Sequence, residues 1–152
     1  MTSEGMVHAL EQIHRLLKPA GVLVDIHPLA EAPLVEVHQG GRILFSELNP
    51  GDCAEECRQA DAALAQAVQR RMFALERSGQ FEYLVYGSSV NELLDYLAQA
   101  NVFASEGATG DEAESALDGG LVARLEGVMQ AAGAGAQVAT HERIHISRLR
   151  PV

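Results

Sequence analysis

The tetrapeptide Lys18-Pro19-Ala20-Gly21 is the strongest constraint on the fold, because it joins two apolar patterns of different period with no room for a loop. Before it, Val7, Leu10, Ile13 and Leu17 recur at three-to-four spacing, with Met6 and His14 beside them. With Ser3 as N-cap, this spacing predicts an amphipathic helix over residues 3–17. After it, Val22-Leu23-Val24-Asp25-Ile26 is short, β-branched and almost wholly apolar, the composition expected of a strand buried on both faces. Proline cannot continue the helix and glycine tolerates the turn. A helix passed directly to a buried strand places the chain in the α/β class.

The rest of the chain continues in that alternation. Leu34-Val35-Glu36-Val37-His38 and Arg42-Ile43-Leu44-Phe45-Ser46 flank Gly40-Gly41, which predicts a β-hairpin, since a primed turn needs positive φ at both central residues. Asp52, with Glu55 three residues on, opens a long helix expected to run to Ser78 and stop at Gly79. Its apolar stripe is Cys57, Leu64, Val68, Met72 and Leu75. A strand over 81–86 follows, then Gly87-Ser88-Ser89 capping a helix with Val90, Leu93, Leu94 and Leu97. The stretch from about 105 to 120 carries Glu106, Asp111, Glu112, Glu114 and Asp118 with no basic residue, and is expected to be an acidic mobile loop. A helix from Leu121 to about Ala132 and a strand from Gln137 to Leu149 complete the chain, and no internal repeat is expected.

Composition limits the function classes. The 152 residues suffice for one ordinary domain, and 47% of them are hydrophobic, enough for a core. Twenty-one acidic against 11 basic residues give a net charge of −10. Nucleic-acid and anionic-membrane binding both need clustered Lys and Arg, so neither is expected. No continuous apolar run suggests a leader or a membrane span, which makes the cytoplasm the expected location. Two cysteines supply no disulfide framework.

The candidate chemistries are few. Cys53 and Cys57 stand four apart on the long helix, but no second ligand pair lies nearby in sequence, so Cys57 reads as a core residue. His141 and His145 would share one strand face with Arg143, whose charge opposes a cation, and a solvated sheet face is the preferred reading. His8 and His14 read as surface residues of the first helix. No metal site is expected. His27 directly follows the buried strand, and open α/β sheets bind ligands beyond the carboxyl ends of their strands. Tyr86 and Ser88 stand at the comparable strand-to-helix turn, so His27, Tyr86 and Ser88 are the candidate ligand-facing residues. Neither a nucleophile elbow nor HExxH occurs, and no catalytic residue is assigned.

Leu10-Glu11-Gln12-Ile13-His14-Arg15-Leu16-Leu17-Lys18-Pro19-Ala20-Gly21-Val22-Leu23-Val24-Asp25 resembles the E-hydrophobic-x-R-x-LKPGG-x-L segment of class I S-adenosylmethionine-dependent methyltransferases, with Ala20 in place of the first Gly. In that family the segment leads into the fifth strand of a seven-stranded sheet. The resemblance implies the C-terminal half of a Rossmann-like sheet of mixed strands with flanking helices, to which the 34–48 hairpin and the acidic insert would be additions. It also implies that the Gly-rich turn and acidic residue that hold the cofactor belong to a half that precedes this sequence. No cofactor-binding residue is then assigned, and S-adenosylmethionine would bind only if a partner chain supplied its site. The implied missing neighbour leaves an apolar edge on Val22–Ile26, and a homodimer through that edge is expected. The function implied is a methyltransferase-like, non-catalytic oligomeric binding or scaffold domain; the alternative is the substrate-side component of an enzyme completed by a partner.

Overall fold

The computed structural model describes residues 3–49, 54–104 and 117–152. Their order is α1 (Ser3–Leu16), β1 (Leu23–Pro28), β2 (Leu34–Gln39), β3 (Arg42–Leu48), α2 (Ala54–Gln69), β4 (Phe73–Gly87), α3 (Val90–Ala104), α4 (Gly119–Ala132) and β5 (Gln137–Pro151). The strands form one sheet in the order β1-β5-β2-β3, with β4 also paired to β5. The registered pairs β1–β5, β2–β5 and β2–β3 are antiparallel, so the architecture is a mixed α/β one on an antiparallel sheet. The chain divides into two compact units, to both of which β4 and β5 contribute.

The first unit comprises Met1–Glu31, Asp52–Tyr83 and Glu142–Val152. Here α1 packs on α2, and α2 on β1. Leu64, Ala67, Phe73 and Leu149 form its buried core, flanked by Leu10, Leu17, Leu23, Val68 and Met72. The Lys18–Gly21 break is closed by a hydrogen bond from the Gly21 amide to the Lys18 carbonyl, at 2.8 Å. A Cβ on Gly21 would stand 2.9 Å from Leu17 Cγ, so glycine is required here by close approach. The strand is not buried on both faces as expected. Leu23, Asp25 and His27 are half-buried, while Val24 and Ile26 are 51% and 59% exposed. α2 covers a single face of β1, and burial therefore alternates as in a one-sided strand.

The long helix also ends earlier than expected. α2 stops at Gln69, and Phe73–Ser78, expected to be helical, instead open the fifteen-residue β4, which runs on through Gly79, the expected stop. The cause is a left-handed Arg71 (φ 58°). The Arg71 amide donates to the Val68 carbonyl and the Met72 amide to the Ala67 carbonyl, the paired bonds of a Schellman end. The helix start expected at Asp52 lies outside the described residues.

The second unit comprises Ala32–Gly51 and Leu84–His141. The predicted hairpin is β2–β3, with Gln39 paired to Arg42 and Gly40 and Gly41 both at positive φ. It is β2 that is buried on both faces, at Val35, Glu36 and Val37. Val35, Val37, Val90, Leu93, Leu117, Leu121, Leu125, Ala136 and Val138 make the core. Of the expected acidic loop, residues 105–116 lie outside the described residues. Its last part is ordered structure: Leu117 is buried and Asp118 caps α4 by accepting from the Leu121 amide.

Candidate functional site

The two units each hold a cluster of imidazoles and carboxylates, and both begin from the same local pattern. Leu23-Val24-Asp25-Ile26-His27 and Leu34-Val35-Glu36-Val37-His38 repeat a Leu-Val-acid-aliphatic-His pattern, contrary to the expectation of no internal repeat. The period of two along a strand puts the acid and the histidine of each copy on one face. Both copies pair with β5, which supplies the remaining imidazole of each cluster.

In the first unit, His27 is held between two carboxylates. Its Nδ1 lies 2.7 Å from Asp25 Oδ2, and its Nε2 lies 3.0 Å from Asp61 Oδ1 on α2. The β1–β5 register sets His145 directly opposite His27, with ring centroids 5.3 Å apart in an edge-to-face arrangement. His145 Nδ1 is buried, stands 3.6 Å from Asp61 Oδ1 and makes no hydrogen bond; its Nε2 lies 3.3 Å from Ser147 Oγ. Ser147 is itself buried. The donor atoms of His27, Asp61 and His145 all fall within 4.8 Å of one another, and these are the residues able to hold a metal. Asp61 is the open member, with its side chain 45% exposed.

In the second unit the carboxylate is at the centre and closed. Glu36, only 2% exposed, faces His38 Nε2 at 2.7 Å, Ser46 Oγ at 3.2 Å and His141 Nδ1 at 3.5 Å. Burial would raise its pKa, but hydrogen bonds from His38, His141 and Ser46 and the nearby His141 charge outweigh it and hold the carboxyl below its ordinary value. With both Glu36 oxygens engaged and the carboxylate itself buried, this cluster serves as a structural polar network.

The three residues singled out from sequence fall as follows. His27 belongs to the first cluster. Tyr86 belongs to the second unit, where its half-exposed ring meets His38 edge-to-face at 5.3 Å. Ser88 donates from both its amide and its hydroxyl to Glu92, each at 2.7 Å, and so fixes the start of α3. It also lines an open cleft of about 290 Å³ with Ser89, Asn91, Glu126 and Met129. The solvated face expected around His141 and His145 is instead half-buried. Arg143 is drawn aside by Glu31, at 3.0 Å, and Gln80, at 2.7 Å. His14 is likewise no surface residue: its Nε2 is buried and its ring meets Phe73 edge-to-face. Asp61 was not signalled by any motif; the signal available for His27 and His38 was the eleven-residue repeat (23 to 34).

Compared with known proteins, the chain matches no family model, no curated sequence and no solved structure.

Proposed function

We propose that this protein is a methyltransferase-like α/β domain that acts by strand-edge association with a second copy, and that binds no S-adenosylmethionine by itself. The observation that carries the reading is the position of β1. It is the terminal strand of the sheet path, bonded to β5 along one edge and to no other strand among the described residues. Its outward residues, Val24 and Ile26, are aliphatic and more than half exposed. An exposed, apolar edge strand is a template for further pairing, and natural proteins cover such edges. A second copy covers it by two-fold symmetry, each edge satisfying the other. The methyltransferase likeness is supported by the way residues 10–25 fold as one unit, helix, tight turn and strand. The strand-to-helix turn after β4 carries the single glycine Gly87, not the Gly-rich cradle that a dinucleotide-like cofactor needs.

The experiment is sedimentation of the purified chain at micromolar concentration, alongside calorimetric titration with S-adenosylmethionine. The expected result is a dimer without cofactor binding, converted to a monomer by Ile26→Lys at unchanged helix content. A monomeric parent chain, or low-micromolar cofactor binding, overturns the reading.

The carboxylate-held His27 at the end of β1 favours a second reading, in which this chain is the substrate side of a methyltransferase completed by a partner chain. Cofactor binding only in a reconstituted mixture distinguishes it.

A further inference from the structure

We propose that His27 Nε2, His145 Nδ1 and an Asp61 carboxylate oxygen form a binding site for one divalent transition-metal ion, zinc being the ion that fits best, with a coordination position left open towards solvent. The argument begins with the donor atoms. A tetrahedral zinc ion with bonds of about 2.0 Å sets its ligand atoms roughly 3.3 Å apart. The two imidazole nitrogens stand 3.0 and 3.6 Å from Asp61 Oδ1, on either side of that value, and all three donors lie within 4.8 Å.

The outer contacts suit the same ligand atoms. A ligating histidine gives its other ring N–H to a carboxylate, a carbonyl or a comparable acceptor. His27 Nδ1 is 2.7 Å from Asp25, a carboxylate that can keep the Nδ1 proton when a cation takes Nε2, which stands 3.0 Å from Asp61. His145 Nε2 is 3.3 Å from the buried Ser147 hydroxyl, which can accept the ring proton there and so free Nδ1 for a cation. That Nδ1 is buried without a hydrogen bond, which a neutral ring facing a carboxylate at 3.6 Å does not explain by itself. A cation between the three atoms satisfies all of them together.

The charge agrees. Two carboxylates, Asp25 and Asp61, flank His27, and the basic residue closest in sequence to His145, Arg143, is bound to Glu31. Two imidazoles and one carboxylate suit zinc and its neighbours in the first transition row; calcium and magnesium favour all-oxygen sites. Three protein ligands are the number found in zinc sites that keep an open position, and the half-exposed Asp61 provides the way in. This inference is independent of strand-edge association, since His27 lies on the half-buried face of β1, against which α2 with Asp61 packs.

The test is calorimetric titration of the metal-stripped full chain with zinc chloride at pH 7, repeated with cobalt(II) chloride followed by visible absorption. The expected result is one ion per chain, with cobalt bands characteristic of four or five ligands. Asp61→Asn and His145→Gln are expected to weaken zinc binding at least tenfold. Asp25→Asn is expected to weaken it about tenfold to a hundredfold. His8→Gln, on the exposed face of α1, is expected to leave it unchanged. Asp61 is half-exposed, so Asp61→Asn retains the fold and decides the matter if His145→Gln does not. Two-dimensional NMR of the rings should show zinc on Nε2 of His27 and Nδ1 of His145. The proposal is overturned by the absence of saturable binding, by parent-like affinity in Asp61→Asn, by loss of binding on Cys57→Ser instead, or by a His27 ring that stays protonated on both nitrogens at saturating zinc. The last outcome would mean an imidazolium bridging Asp25 and Asp61.

Discussion

Glu36 Oε2 and His38 Nε2 lie 2.7 Å apart on one face of β2, in a part of the strand where the alternate residues, Val35 and Val37, are fully buried in the core. A carboxylate in that setting is stabilised by the donors around it, here His38, His141 and Ser46, and its folded-state pKa is lowered. A lowered carboxylate pKa contributes stability that is present above the unfolded value near 4.5 and is lost as pH falls through the folded value. Glu36→Gln is therefore expected to cost about 1.5–3 kcal/mol at neutral pH, the range for hydrogen bonds to a charged group. The difference between parent and variant should shrink as the pH is lowered through 4.5 and below. Urea denaturation of both chains between pH 3 and pH 7 measures this, and a constant difference across that range would refute it.

Arg71 ends α2 in the left-handed region, where a residue with a Cβ is strained by about 1–2 kcal/mol and glycine is not. Its side chain is exposed and takes part in no ion pair among the described residues. Arg71→Gly is thus expected to stabilise the protein by roughly 0.5–1 kcal/mol despite adding a flexible residue to the unfolded chain. Thermal unfolding followed by circular dichroism checks the sign.

Gly21 is the opposite case. Its φ is not left-handed, yet an added Cβ would meet Leu17 Cγ at 2.9 Å and the Lys18 carbonyl oxygen at 3.0 Å. The carbonyl cannot yield without opening the Gly21–Lys18 hydrogen bond. Gly21→Ala is expected to destabilise the fold by about 1–3 kcal/mol, the usual range for overpacking. An equally stable Gly21→Ala chain would mean that the helix-to-strand turn is looser than drawn.

These three positions show why the sequence was legible in some places and not in others. The hairpin could be read because Gly40-Gly41 advertises its two positive φ values. The end of α2 could not, because Arg71 adopts the same conformation without a glycine to mark it, while Gly79, taken as the stop, has an ordinary strand conformation inside β4. The one-sided burial of β1 depends on which elements cover it, and Val22–Ile26 reads as fully apolar either way. In the metal site, His27 was singled out as following the strand, although β1 runs through it to Pro28 and pairs it with His145. Asp61 stands 34 residues further on in α2, and His145 is set by β-sheet register. Those juxtapositions are tertiary, and no local pattern encodes them.

Glu142 is a carboxylate whose burial acts in the opposite direction. It lies on β5 beside His141 and Arg143, and burial raises its carboxyl above the ordinary value of 4.5. A raised carboxylate pKa has the opposite consequence to that at Glu36. The folded protein then holds the proton more tightly than the unfolded chain, so stability is lost as pH rises from 4.5 through the folded value, and the loss persists at neutral pH. Glu142→Gln keeps the shape and removes the charge. It is expected to stabilise the protein at pH 7 by roughly 0.5–2 kcal/mol, as other single corrections of unfavourable charges do. Well below pH 4.5 the parent carboxyl is protonated in both states, and the two chains should unfold at nearly the same denaturant concentration. Measured together, Glu36→Gln and Glu142→Gln should move in opposite directions at pH 7 and converge on the parent in acid. Movement in the same direction at pH 7 would show that the fold around β5 differs from the one described.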